Sequence, residues 1–80
     1  MIVPTKGIHP RRALLTVGAQ ILLVLDGQMT ISATWSALRQ HREDIGDPAI
    51  GFDWFILALD LAYSLGAVTS EPDGIRRAVA

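Results

Sequence analysis

Apolar residues fall along this chain in three helical runs and two short extended ones. The most apolar run is GFDWFILALDLAYSLG, residues 51–66. Phe52, Phe55, Ile56, Leu59 and Tyr63 recur at the i, i+3, i+4, i+7 spacing of a helix face. Trp54, Leu57, Ala58, Leu61 and Leu65 form a second stripe beside them. The run therefore predicts a helix over 52–65, with Gly51 at its start. Only Asp53, Asp60 and Ser64 interrupt the apolar surface, and they share one narrow edge. A surface helix has one apolar stripe about 100° wide. Two adjacent stripes call for neighbours on two sides, and in so short a chain one neighbour is expected to be another protein.

The remaining pattern sets an order around that helix. Residues 1–9 read as an extended arm, because Pro4 removes a donor, Gly7 loosens the chain and Pro10 disfavours α geometry at His9. Pro10 suits a first helical turn. A helix over 10–25 then packs through Leu14, Val17, Ile21, Val24 and Leu25, widened by Leu15, Leu22 and Leu23. Gly18 in its middle costs about 1 kcal/mol against Ala, which a close helix crossing would justify. Asp26-Gly27 is the expected stop, with Gly27 as a left-handed cap. Residues 29–31 are β-prone. Ser32 is the expected N-cap of a helix over 32–42, which turns Trp35 and Leu38 inward and leaves Arg39, Gln40 and Arg42 in water.

Residues 43–51 read as a loop. After the third helix, 67–69 and 75–79 read as two strands joined by the turn signal Ser70-Glu71-Pro72-Asp73-Gly74. In that ribbon Ile75, Arg77 and Val79 share one face and Arg76 and Ala78 the other. Helix, short strand, helix, helix, hairpin is the order of a winged helix-turn-helix. The expected fold is mainly α with a small β-wing: three helices plus a two- to three-stranded ribbon, in one domain over 1–80.

Composition sharpens the idea of an outside partner. Half of the 80 residues are hydrophobic, and mean hydropathy is +0.34. A chain of this length buries only roughly 60–65% of its unfolded surface. Surplus apolar surface in such a domain marks an interaction site. Neither apolar run reads as a membrane span: 13–25 is shorter than the roughly 20 residues needed, and 50–68 holds two aspartates. Met1 to Lys6 lacks a signal-peptide layout. The absence of cysteine removes disulfides and thiolate metal sites, in keeping with a cytoplasmic protein.

Charge argues against DNA reading by the third helix. Net charge is −1 and the pI about 6.0, without the strongly basic balance of a nucleic-acid binder. The third helix of a winged helix normally lies in the major groove. Here its polar edge is Asp53, Asp60 and Ser64, which phosphates would repel. A DNA-binding regulator would instead use Arg11, Arg12, Arg76 and Arg77.

No catalytic or cofactor chemistry is legible. His9 and His41 are not at metal-ligand spacing, and His41, Glu43, Asp44 and Asp47 match no cation-loop signature. The glycines form no phosphate-binding pattern. Trp35, Trp54 and Phe55 sit at helical spacing with other apolar residues and read as core.

Three blocks resemble the small middle component of bacterial ABC-three-component systems, winged-helix type. They are Pro4-Thr5-Lys6 with Pro10 and Ala13-Leu14-Leu15…Gly18; Ile31-Ser32…Trp35…Leu38; and Phe52-Asp53-Trp54-Phe55…Leu57-Ala58-Leu59-Asp60-Leu61…Gly66 with Gly74-Ile75. The third is the most specific. The resemblance implies a non-enzymatic adaptor without cofactor or metal, acting between an ABC-type ATPase subunit and a larger effector subunit in antiphage defence. The family often carries an acid near Thr34 or Ser36, where this chain is neutral. The expected partner contact is Trp54, Leu57, Ala58, Leu61 and Leu65, with Pro4 and Lys6 of the arm. The competing readings are the arginine-based DNA regulator and a homodimer through the same apolar face.

Overall fold

The computed structural model describes residues 9–78. Its elements are α1 (Pro10–Val24), α2 (Ile31–Asp44), α3 (Phe52–Ser64), β1 (Val68–Glu71) and β2 (Gly74–Arg77). Three helices and a two-stranded antiparallel hairpin follow the winged-helix layout. The arm residues Pro4 and Lys6, and Val79 of the expected second strand, lie outside the described residues.

Each helix end has a local cause. Pro10 occupies the first turn of α1, and the His9 imidazole accepts the Arg11 amide at 3.2 Å. The helix stops earlier than expected: Leu25 is already extended and buries its side chain in the core. Gly27 is left-handed, but in the turn beyond rather than as the helix cap. The N-cap of α2 is Thr30, not Ser32. The Thr30 hydroxyl accepts the Ala33 amide at 3.0 Å, so the helix takes up Ile31 and the expected strand shrinks. At the far end α2 runs on to Asp44, where Gly46 N–H reaches Glu43 O and Asp47 N–H reaches Arg42 O. The same paired closure ends α3, with Gly66 to Tyr63 and Ala67 to Ala62.

What remains of the expected first strand is one bridge. Met29 and Ile75 exchange both backbone hydrogen bonds, at 2.9 and 2.8 Å. The hairpin is tighter than its turn signal suggested. Ser70 pairs with Ile75 and Glu71 with Gly74, leaving only Pro72-Asp73 as the loop. Gly74 is fixed by this crossing: its φ is +154°, and a Cβ there would lie 2.2 Å from Met29 O.

The core lies between α1 and α3 and is closed by α2 and the wing. Val17, Ile21, Leu38, Phe55 and Ala58 are fully buried, and Val68 and Ile75 bring in the inner face of the hairpin. Gly18 does sit at the α1–α3 crossing. A Cβ there would stand 3.7 Å from Ala58 O, an ordinary contact, so the crossing accommodates glycine without requiring it. No helix among the described residues is long and apolar enough to cross a membrane.

Candidate interaction surface

The core divides α3 along a line the two-stripe pattern did not show. It takes the inner part of each stripe, burying Trp54, Phe55, Ala58, Leu59 and Ala62. Trp54 and Ala58, expected at a partner contact, are 4% and 0% exposed and serve the chain's own interior. The cause is α1, which covers the middle of α3. The Trp54 indole N–H is buried with no acceptor among the described residues. Asp53, Asp60 and Ser64 form the outer edge, opposite the core. At 100° per residue, Leu57, Leu61 and Leu65 lie on one flank of that edge and Phe52, Ile56 and Tyr63 on the other.

The first flank joins α1 in an open groove of ≈ 170 Å³. Leu15, Ala19 and Leu22 form one wall, Leu61 and Leu65 the other, and Ala67 closes an end. All the lining residues are leucine, alanine or glycine. Leu15 is 49% exposed and Leu65 67%. Leu57, at 41%, continues the flank. The sequence pattern puts Leu61 and Leu65 at a partner contact, and has Leu15 and Leu22 widen the apolar surface of the first helix without naming them at that contact. Their offset from Val17 and Ile21 by one or two positions was the available signal.

The second flank meets α2 in an aromatic corner. The Trp35 ring lies 5.1 Å from that of Phe55 and 5.5 Å, edge-on, from that of Phe52. The Arg39 guanidinium stands 5.2 Å over Trp35. Beside it opens a depression of ≈ 570 Å³ lined by Ser36, Arg39, Gln40, Arg42, Glu43, Asp47, Ala49 and Ile50, two arginines against two acids.

Under that depression sits the largest departure from the sequence reading. Arg42, expected in water, is 3% exposed. Its guanidinium donates to Gln20 Oε1 at 2.7 Å, to Pro48 O at 2.7 and 3.2 Å, and to Asp47 Oδ2 at 3.4 Å. Gln20 in turn donates to Asp47 Oδ2 at 2.8 Å. The knot ties α1, α2 and the loop before α3. Burial lowers the Arg42 pKa, and the Asp47 carboxylate opposes that shift. Arg42 follows Leu38 by four and Trp35 by seven, the stripe that α2 turns inward, and this spacing was the legible clue.

The arginines expected at DNA are not brought together. Arg76 forms an ion pair with Glu71, and Arg77 donates to Leu22 O at 3.4 Å, near the end of α1. Arg11 and Arg12 stand at the other end of that helix, about 15 Å away along its axis at 1.5 Å per residue. Asp44 and Asp47 of the acidic loop accept from Gln40, Gln20 and Arg42. Among the described residues no three acids or histidines gather as a metal set.

Residues 3–78 match the family described as ABC-three component (ABC-3C) system Middle Component 6. The chain belongs to that family. No curated protein and no solved structure matches it. A middle component is one part of a multi-component system, so other components of an ABC-3C system are implied as its partners. The family is not a known enzyme family.

Proposed function

We propose that this middle component is a protein–protein adaptor that links the ATPase of its system to a larger effector, in a system acting in defence against phages. The observation that carries the reading is the α1–α3 groove. An 8.7 kDa chain leaves Leu15, Leu61 and Leu65 along an opening lined by no polar side chain. Water gains nothing from such a surface, and an apolar ridge from a partner helix matches its chemistry. Leu57 extends the contact, and Pro4 and Lys6 of the arm add to it.

The test is co-purification with the other two components. Leu61→Asp or Leu57→Asp places a charge on the groove flank and should release a component while the circular dichroism spectrum is unchanged. A folded variant that still carries both components at wild-type recovery would overturn this surface.

The arginine-based DNA reading is the weaker one, since Arg76 is paired with Glu71 of the wing, Arg77 donates to α1, and the other two arginines stand apart. A salt titration separates the readings, because phosphate contacts weaken steeply with salt and an apolar interface does not. Light scattering of the purified chain tests the homodimer.

A further inference from the structure

An adaptor needs two contacts, and the groove supplies one. We infer that the aromatic corner of α2 and α3 is a second docking surface, and that its occupant is a segment of another component carrying a carboxylate beside an apolar side chain. The inference rests on the adaptor reading but uses different residues.

Two properties of the corner point to it. The aromatic rings are already held in place: Phe55 is fully buried, and Trp35 and Phe52 pack on it at 5.1 and 5.6 Å. Phe52 is nevertheless 49% exposed. Apolar surface held rigid before binding loses little entropy when covered. Tryptophan and arginine are also the residue types that dominate binding energy at interfaces.

The second property is charge. Glu43 stands four residues after Arg39, the spacing of a helical ion pair. Arg39 stands over Trp35 instead, and among the described residues no carboxylate lies within ion-pair distance of it. A guanidinium over a ring face keeps its N–H donors, which fit a carboxylate in a two-pronged contact. The depression alongside has room for the apolar neighbour, against Ala49 and Ile50. Nucleic acid would also stack on arginine and aromatic rings. It is disfavoured because a run of phosphates would also have to pass Glu43 and Asp47, which line the depression, whereas a single carboxylate need meet only Arg39.

The experiment co-expresses the full chain with the ATPase and the third component. Arg39→Glu should lower recovery of one component roughly tenfold, by charge reversal at a specific contact. That component should differ from the one Leu61→Asp releases. Arg39→Lys should restore recovery only in part, because it keeps the charge and loses the planar fork. If Arg39→Glu and Phe52→Ser, both folded, leave both components bound, the corner is not a docking surface while the groove reading stands. Release of the same component by Arg39→Glu and Leu61→Asp would refute two separate surfaces. Release by Arg39→Glu alone would sustain the corner and end the groove reading. A single-stranded oligonucleotide bound by wild type and lost with Arg39→Glu would replace the protein occupant with nucleic acid.

Discussion

The α1–α3 seam and the Arg42 knot hold neighbouring parts of one small molecule by opposite means. At the seam Val17 and Ile21 of α1 meet Phe55 and Ala58 of α3 with no exposed surface left on any of them. Nothing there is directional; the helices are held by area removed from water and close contact. At the knot one guanidinium gathers the Gln20 amide, the Pro48 carbonyl and the Asp47 carboxylate. Nearly everything there is directional. The seam can shift slightly and keep its energy, whereas the knot fixes where the 45–51 loop crosses α2, and hence how α3 starts. The seam makes the molecule fold; the knot aims Phe52 toward Trp35 and sets the corner.

The largest expected effect lies at the seam. Ile21→Ala removes a fully buried side chain and should destabilise the chain by about 2–5 kcal/mol. Stability for 80 residues is about 4–12 kcal/mol, so at the low end of that range this variant is largely unfolded. Urea denaturation checks it. A loss below about 1 kcal/mol would mean that the seam is not the main support.

Arg42→Met comes next, at about 2–3 kcal/mol. The methionine fills part of the volume but strands Gln20 Oε1 and Pro48 O, while the partly exposed Asp47 can turn to water. The mark that separates it from a seam variant is local. Amide resonances of 45–51 and of Phe52 should shift, and those around Val17 should not. Unchanged loop resonances would show that the loop holds its path without the knot, and the contrast between the two regions would collapse.

The contrast also explains what could be read from the chain. Helical periodicity reports burial by area, so the three helices, their order and most of the seam were legible. The wing was legible through Pro72-Asp73-Gly74. The knot was hidden, despite the place of Arg42 on the inward stripe of α2, because a charged residue reads as wet unless its partners are known, and Gln20 lies 22 residues from Arg42 in sequence. The division of α3 was hidden for a related reason. A helix pattern shows which residues are apolar, but only the position of α1 decides that Trp54 and Ala58 go inside while Leu57 and Leu65 stay out. The Thr30 cap was missed by two residues because Ser32 and Thr30 are both good caps, and the choice fell to the bridge at Met29.

The smallest effect has the opposite sign and tests how tight the seam is. Gly18 sits mid-helix, where glycine costs about 1 kcal/mol relative to alanine through backbone entropy. The added methyl would meet Ala58 O at 3.7 Å, a distance of ordinary contact. Gly18→Ala should therefore stabilise the chain by about 0.5–1 kcal/mol, seen as a higher denaturant midpoint with an unchanged slope. Gly18 also lines the groove. If the variant is more stable yet binds its partner less well, the glycine is kept for what enters the groove. If it is less stable, the helices approach more closely at this crossing than 3.7 Å implies, and the seam would then share the knot's dependence on exact placement.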